Sequence, residues 1–108
     1  MIDRVFSEGV GPLLHPLGFA GRAGLLRKND WVLEILAGTV DGQFTVGVGT
    51  GGTTWENCPR QTTLGHLWKG KPYFWKLSSA ADIKPVVEQV TVLVLERALP
   101  WLQENAAV

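Results

Sequence analysis

The sequence predicts an α+β domain: an antiparallel sheet of about 4–5 strands with N-terminal and C-terminal helices packed on one face, in the order α-β-β-β-β-β-α. Three observations predict it. Apolar residues at both ends recur at the helical spacing of three and four, whereas those in the middle alternate with the period of a strand. The turn pairs Asn29-Asp30 and Asp41-Gly42 make hairpin connections, too short for the crossovers that parallel strands require. Hydrophobic residues form 45% of the 108 and charged residues 19%, which suits one domain over 1–108 with a core and argues against disorder.

Ile2, Val5, Phe6, Val10, Leu13, Leu14 and Leu17 form the apolar stripe of the first helix. Pro12 lacks an N–H and crowds the carbonyl four residues back, so a kink or restart is expected there. Gly18 ends the helix as a C-cap. Residues 19–28 and 31–37 read as strands around Asn29-Asp30. Trp31, Leu33 and Ile35 fall on one face of the second, with Val32, Glu34 and Leu36 on the other. After Asp41-Gly42, Phe44, Val46 and Val48 alternate with Thr45, Gly47 and Gly49, the pattern of a half-buried strand. Residues 50–61 form the longest loop. Two short strands are expected near 62–68 and 73–77, joined by Lys69-Gly70-Lys71-Pro72.

In the tail, Val90, Val92 and Val94 alternate as a strand would. The longer stripe of Ile83, Val86, Val87, Val90, Leu93 and Val94 favours a helix. Ser79 stands at its N-cap, Asp82 in its first turn, and Pro85 close enough to the start to be tolerated. Pro100 is expected to break it, with Trp101-Leu102 folding back over the core. Both helix stripes need the same sheet face.

A set of landmarks runs through these elements: Pro12 with Leu13-Leu14, then Leu17-Gly18-Phe19, Arg27 and Phe44-Thr45-Val46-x-Val48-Gly49. Cys58, Leu64-Gly65, Trp75 and Leu99-Pro100-Trp101-Leu102 complete it. Their order and spacing, over nearly the whole chain, resemble a family of small bacterial proteins known as domain of unknown function number 4304. The resemblance implies an α+β fold with terminal helices and a central antiparallel sheet, and it brings no established activity. The chain departs from that family where the stretch between Gly49 and Cys58 is short, since members usually carry a longer insertion. Of the arginines commonly found before the Leu-Gly pair only Arg60 stands, beside Gln61, Thr62 and Thr63.

Ten Lys and Arg balance ten Asp and Glu, so duplex DNA and an anionic membrane are disfavoured as partners of the whole molecule. The single Cys58 excludes an intrachain disulfide and suits a reducing compartment. Acids near the N-terminus read against a signal peptide, and the apolar run Val86 to Leu95 is too short to span a bilayer. The cytoplasm is therefore expected. One Cys with His15 and His66 makes no zinc spacing, and neither metal nor cofactor is expected. Gly47-Val48-Gly49-Thr50-Gly51-Gly52 matches the dinucleotide string, but no helix pattern follows to receive a pyrophosphate, and the glycines read as a strand end and loop. Cys58 and His66 are a conceivable nucleophile and base with no orienting Asn or Asp, so no catalytic residue is assigned.

The most informative segment is Trp68-Lys69-Gly70-Lys71-Pro72-Tyr73-Phe74-Trp75-Lys76. Residues 59–84 hold five bases (Arg60, Lys69, Lys71, Lys76 and Lys84) against Asp82 alone, so overall neutrality conceals a basic stretch. The functional expectation is a non-catalytic protein-binding module, adaptor- or immunity-like, with a face built around Trp55, Arg60, His66, Trp68, Tyr73 and Trp75 and an as yet unidentified protein partner. The competing structural reading is a hairpin whose aromatics face the core and whose lysines guard a sheet edge, and a third has the aromatics stack the bases of a single-stranded nucleic acid, a partner that the neutral composition disfavours. A different class of function places a small-ligand pocket, or an unrecognised enzyme site, on the 47–60 loop, lined by Trp55 and reached by Cys58 and His66. A weak homodimer, through the sheet face opposite the helices or through edge strands, is a further expectation.

Overall fold

A computed structural model describes residues 3–22 and 24–105, and these form an α+β fold with a six-stranded antiparallel sheet. Strands β1 (Ala20–Arg22), β2 (Leu25–Lys28), β3 (Trp31–Ala37), β4 (Gln43–Thr50) and β5 (Arg60–Thr63) lie side by side in chain order. The second half of β4 pairs with β5, from Gly47↔Thr63 to Thr50↔Arg60. Its first half pairs instead with β6 (Trp75–Lys76), through Gln43↔Lys76 and Phe44↔Trp75.

Two expected strands resolve differently. The stretch 19–28 is a hairpin, with Ala20↔Arg27 and Arg22↔Leu25 paired and Gly24 in the left-handed region at φ 85° in the connection. Of the strand expected over 62–68, only the start is extended, and Leu64–Lys69 is a helix. The β-branched Thr62 and Thr63 belong to β5. Thr63 then serves as N-cap, its Oγ1 accepting from the His66 N–H at 3.3 Å, and Gly70 at φ 74° closes the far end.

Register builds the core. Leu26 faces Leu33 across β2 and β3, Leu33 faces Val48 across β3 and β4, and Ile35 faces Val46. Val5, Phe6, Val10 and Leu14 of the N-terminal helix join that cluster, as do Ile83, Val90, Leu93, Val94, Ala98 and Leu102 of the C-terminal helix. Both helices therefore bury their stripes against one sheet face, as the sequence predicts.

The two terminal helices solve the same problem in the same way. The N-terminal helix passes from a first turn (Asp3–Val5) through a π-turn (Phe6–Val10) into Gly11–Leu14, then tightens at His15–Leu17 and stops at Gly18, φ 99°. The Gly11 N–H donates to the Phe6 carbonyl five residues back, and Pro12 follows immediately. In the C-terminal helix a short turn (Ala80–Asp82) leads into Ile83–Leu93, a π-turn (Val94–Ala98) and Leu99–Asn105. The Leu99 N–H donates to the Val94 carbonyl, and Pro100 follows. In each case the proline enters as the second residue of a new α-helical segment, where its missing N–H is tolerated. Pro100 consequently does not break the helix. Trp101 and Leu102 continue it rather than folding back, and Leu102 is fully buried.

The far end is tied to the sheet: the Asn105 carbonyl accepts from Thr50 Oγ1 at 3.2 Å and from Arg60 Nη1 at 3.3 Å. Among the described residues no helix is long and apolar enough to cross a membrane.

Candidate functional site

The sheet face opposite the helices is closed over β4. Every residue from Phe44 to Thr50 is buried, where the sequence pattern predicts burial on one face only. Gly47 and Gly49 are the reason. A β-carbon on Gly47 would stand 2.6 Å from Trp55 Cδ1, and one on Gly49 2.7 Å from Cys58 Sγ. Gly47 and Gly49 lie in the last half of the strand, as the alternation predicts, with Gly51 and Gly52 in the loop beyond it, and they leave a slot into which the 51–59 loop packs. Trp55 is held there by two hydrogen bonds, its N–H to Glu34 Oε1 at 2.9 Å and its Nε1–H to the Thr62 carbonyl at 2.8 Å. Gln61 Nε2 donates to the Trp55 and Cys58 carbonyls, at 3.1 and 3.0 Å, and keeps the loop folded on itself.

This packing constrains the chemistry open to the loop. The residues after Gly49 form no helix but a single 3-10 turn, Trp55–Asn57, so the glycine string offers no phosphate cradle. Cys58 is 3% exposed, and its thiol donates to the Thr54 carbonyl at 3.3 Å. Burial pushes the Cys58 thiol above its ordinary range; a hydrogen bond with the Gly52 backbone pulls the other way, and the Glu34 carboxylate adds to the rise. A thiol held neutral is not an activated nucleophile. His66 is exposed, with Nδ1 3.1 Å from the hydroxyl of its own cap residue, Thr63. Among the described residues no group of three His, Cys, Asp or Glu side chains could hold a metal ion.

The aromatics of the second half of the chain assemble elsewhere, beside the C-terminal helix. Trp75 is 3% exposed and stacks on Phe44, ring centres 5.9 Å apart, and on Trp68, 6.0 Å apart and nearly parallel at 6°. Its Nε1–H donates to Gln89 Oε1 at 2.7 Å. Tyr73 sets its ring edgewise to both tryptophans at 5.1 Å. Gly65 lets the Leu64–Lys69 helix lie directly on this strand, since a β-carbon there would stand 2.7 Å from the Tyr73 backbone. The Lys69 ammonium caps the assembly, 3.9 Å from the centre of the Trp68 ring and 5.7 Å from that of Tyr73. Such a cation–π contact at an exposed site contributes about 0.5–1 kcal/mol.

The six residues expected to share a face are thus dispersed. Trp55 plugs the outer sheet face, Trp75 belongs to the core, and Arg60 serves the end of the C-terminal helix. His66 stays on the surface beside its cap, and only Trp68 and Tyr73 stand together, both half-buried. The side chain that the set omits is Phe74. Tyr73, Trp75 and Leu77 turn towards the core, whereas Phe74 and Lys76 turn away from it, and Phe74 is 42% exposed. The period-2 pattern of a strand, carried from Tyr73 to Leu77, was the signal that could have found it.

Charge concentrates on the same segment. Lys69, Lys71 and Lys76 are exposed, and the one ion pair among the described residues, Arg4 with Glu8 at 2.7 Å, lies on the N-terminal helix. Asp82, the lone acid of residues 59–84, is committed to the start of the C-terminal helix, Oδ2 accepting from the N–H groups of Ser78 at 2.7 Å and Ser79 at 3.0 Å. Compared with protein-family models, with curated proteins and with solved structures, the chain matches none.

Proposed function

We propose that this protein is a non-catalytic protein-binding module, adaptor- or immunity-like, acting through the outward side of the segment Trp68–Lys76. The observation that carries the reading is the alternation of that strand. Tyr73 and Trp75 anchor it in the core while Phe74, 42% exposed, is presented between lysines that have no carboxylate partner among the described residues. An aromatic side chain on a rigid, well-packed support is the kind of residue on which interfaces concentrate their energy. The other readings lose ground by comparison: the 47–60 loop is filled by Trp55 and Cys58, and Cys58 carries a neutral buried thiol. A reducing, cytoplasmic setting suits that thiol.

The resemblance to the 4304 family belongs to the same proposal. Its landmarks sit at joints of this fold: Gly18 caps the first helix, Gly49 underlies Cys58, Gly65 lies on Tyr73, and Pro100 follows the π-turn. The test of function is affinity capture followed by a measured affinity for each captured protein. Phe74→Ala is expected to weaken a true partner by about 2 kcal/mol, some thirtyfold in Kd. Partners indifferent to Phe74 would refute the assignment.

A weak homodimer is the second reading, favoured by Val92 and Leu95, which are 48% and 40% exposed one turn apart on the C-terminal helix. The sheet face opposite the helices is a poorer seat for it, because the Trp55 loop already covers β4 there. Sedimentation equilibrium decides this: a monomer at high micromolar concentration, unchanged by Val92→Lys, excludes the dimer.

A further inference from the structure

We infer that the partner of the Trp68–Lys76 surface is an acidic protein segment, carboxylates arrayed around an apolar side chain, and not a nucleic acid. The inference rests on the binding reading above and names the chemistry of the surface it uses.

Uncompensated charge is the first argument. Lys69, Lys71 and Lys76 fall within eight residues, all exposed, and none has a carboxylate partner among the described residues. The acid nearest in sequence, Asp82, spends Oδ2 on two backbone N–H groups at the start of the C-terminal helix and forms no ion pair with them. Outside residues 59–84 the chain holds nine acids and five bases, so this stretch is the basic part of a neutral chain. A basic stretch of this kind steers oppositely charged partners and fixes their register.

Preorganisation is the second. Lysine side chains ordinarily lose rotamer freedom on binding, which offsets much of what an ion pair gains. Lys69 is already held over Trp68, which is itself clamped flat on buried Trp75. Its ammonium is thereby presented at a set position.

The aromatic faces decide between a carboxylate partner and a nucleic acid. Binding of single strands depends on bases stacking on open aromatic faces. Trp68 is stacked against Trp75 and covered by the Lys69 ammonium 3.9 Å from its ring centre, and Tyr73 lies edgewise against both indoles. Only Phe74 remains open, one ring with no aromatic neighbour to continue a stack. A single exposed ring among cations fits one apolar side chain flanked by carboxylates.

The experiment titrates the whole protein, amide-labelled for NMR, with three probes: a Glu/Asp-rich peptide carrying one central Leu, the same peptide with Lys for each acid, and an oligothymidylate. The acidic peptide is expected to move the amides of residues 69–76 selectively, with an affinity that falls about tenfold between low and high salt. Lys69→Glu combined with Lys71→Glu and Lys76→Glu should abolish the shifts, and Phe74→Ser should weaken them with the charges intact. All four positions are exposed, and circular dichroism of each variant confirms that the fold persists. Tighter binding of the oligothymidylate than of the acidic peptide overturns the inference, as does absence of shifts with millimolar acidic peptide. A captured partner that needs Phe74 yet tolerates the three reversals overturns the acidic chemistry while leaving the binding module standing. Partners indifferent to Phe74 and to the reversals alike overturn both.

Discussion

Trp55 occupies the space that a side chain on Gly47 would need, with Cδ1 2.6 Å and Cγ 2.7 Å from the position of a β-carbon there. The indole cannot retreat, because its Nε1–H is bound to the Thr62 carbonyl at 2.8 Å and its backbone N–H to Glu34 at 2.9 Å. Leu36 Cδ1, 2.9 Å from the same point, closes the other side. A central strand without a side chain at this position thereby becomes the floor of a slot.

Gly47→Ala is therefore expected to destabilise the fold by about 1–3 kcal/mol, the range for overpacking a filled site, although alanine is the better strand residue. Urea unfolding measures it. Trp55→Leu by itself should also destabilise, but the double variant should lose less than the two single losses added, because each change relieves the other. Strict additivity would show that the indole and the glycine do not meet.

Cys58 should resist alkylation in the native state. Its thiol is 3% exposed and raised by burial, so thiolate is scarce near neutrality and hidden when formed. Iodoacetamide at pH 8 is expected to react much more slowly than with the urea-unfolded chain. The linkage has a definite sign. A thiol whose folded pKa lies above its unfolded value, about 8.5, contributes stability that is full below that pH and is lost as pH rises through the folded value. Cys58→Ala should flatten this alkaline loss, and an unchanged profile would assign it to other groups.

Asp82→Ala removes the acceptor for the N–H groups of Ser78 and Ser79 and half of the capping box with Ser79. The expected cost is about 1 kcal/mol, with the first turn before Ile83 fraying ahead of the rest. Asp82→Asn keeps one acceptor oxygen and should lose less. Thermal unfolding and amide exchange at residues 78–84 report the two effects separately.

Pro100→Ala should be close to neutral, within about 1 kcal/mol, because the preceding π-turn already supplies the geometry the ring needs. Were Pro100 an ordinary interior helix proline, the same change would stabilise by about 3 kcal/mol. Leu102→Ala, by contrast, empties a fully buried position and should cost about 2–5 kcal/mol. The ratio of these two losses tests whether burial, and not local preference, carries the helix past the proline.

Features set within a few residues of one another are legible in the sequence. The helix stripes, the stop at Gly18 with φ 99°, the turn at Asn29 with φ 53° and the Ser79/Asp82 start all follow from backbone preference and short-range hydrogen bonding. The period-2 pattern of Tyr73, Trp75 and Leu77 already implies the exposure of Phe74 between them. Tertiary structure alone decided the rest. Gly47 reads as the open face of a half-buried strand until Trp55 covers it, and Arg60 reads as a surface residue free to bind until the Asn105 carbonyl engages it 45 residues away. Pro100 reads as a stop until burial of Ala98 and Leu102 holds the helix together around it. Local preferences are worth about 1 kcal/mol per residue or less, whereas burying one large side chain is worth about 1.5–3 kcal/mol, so distant contacts prevail where the two disagree.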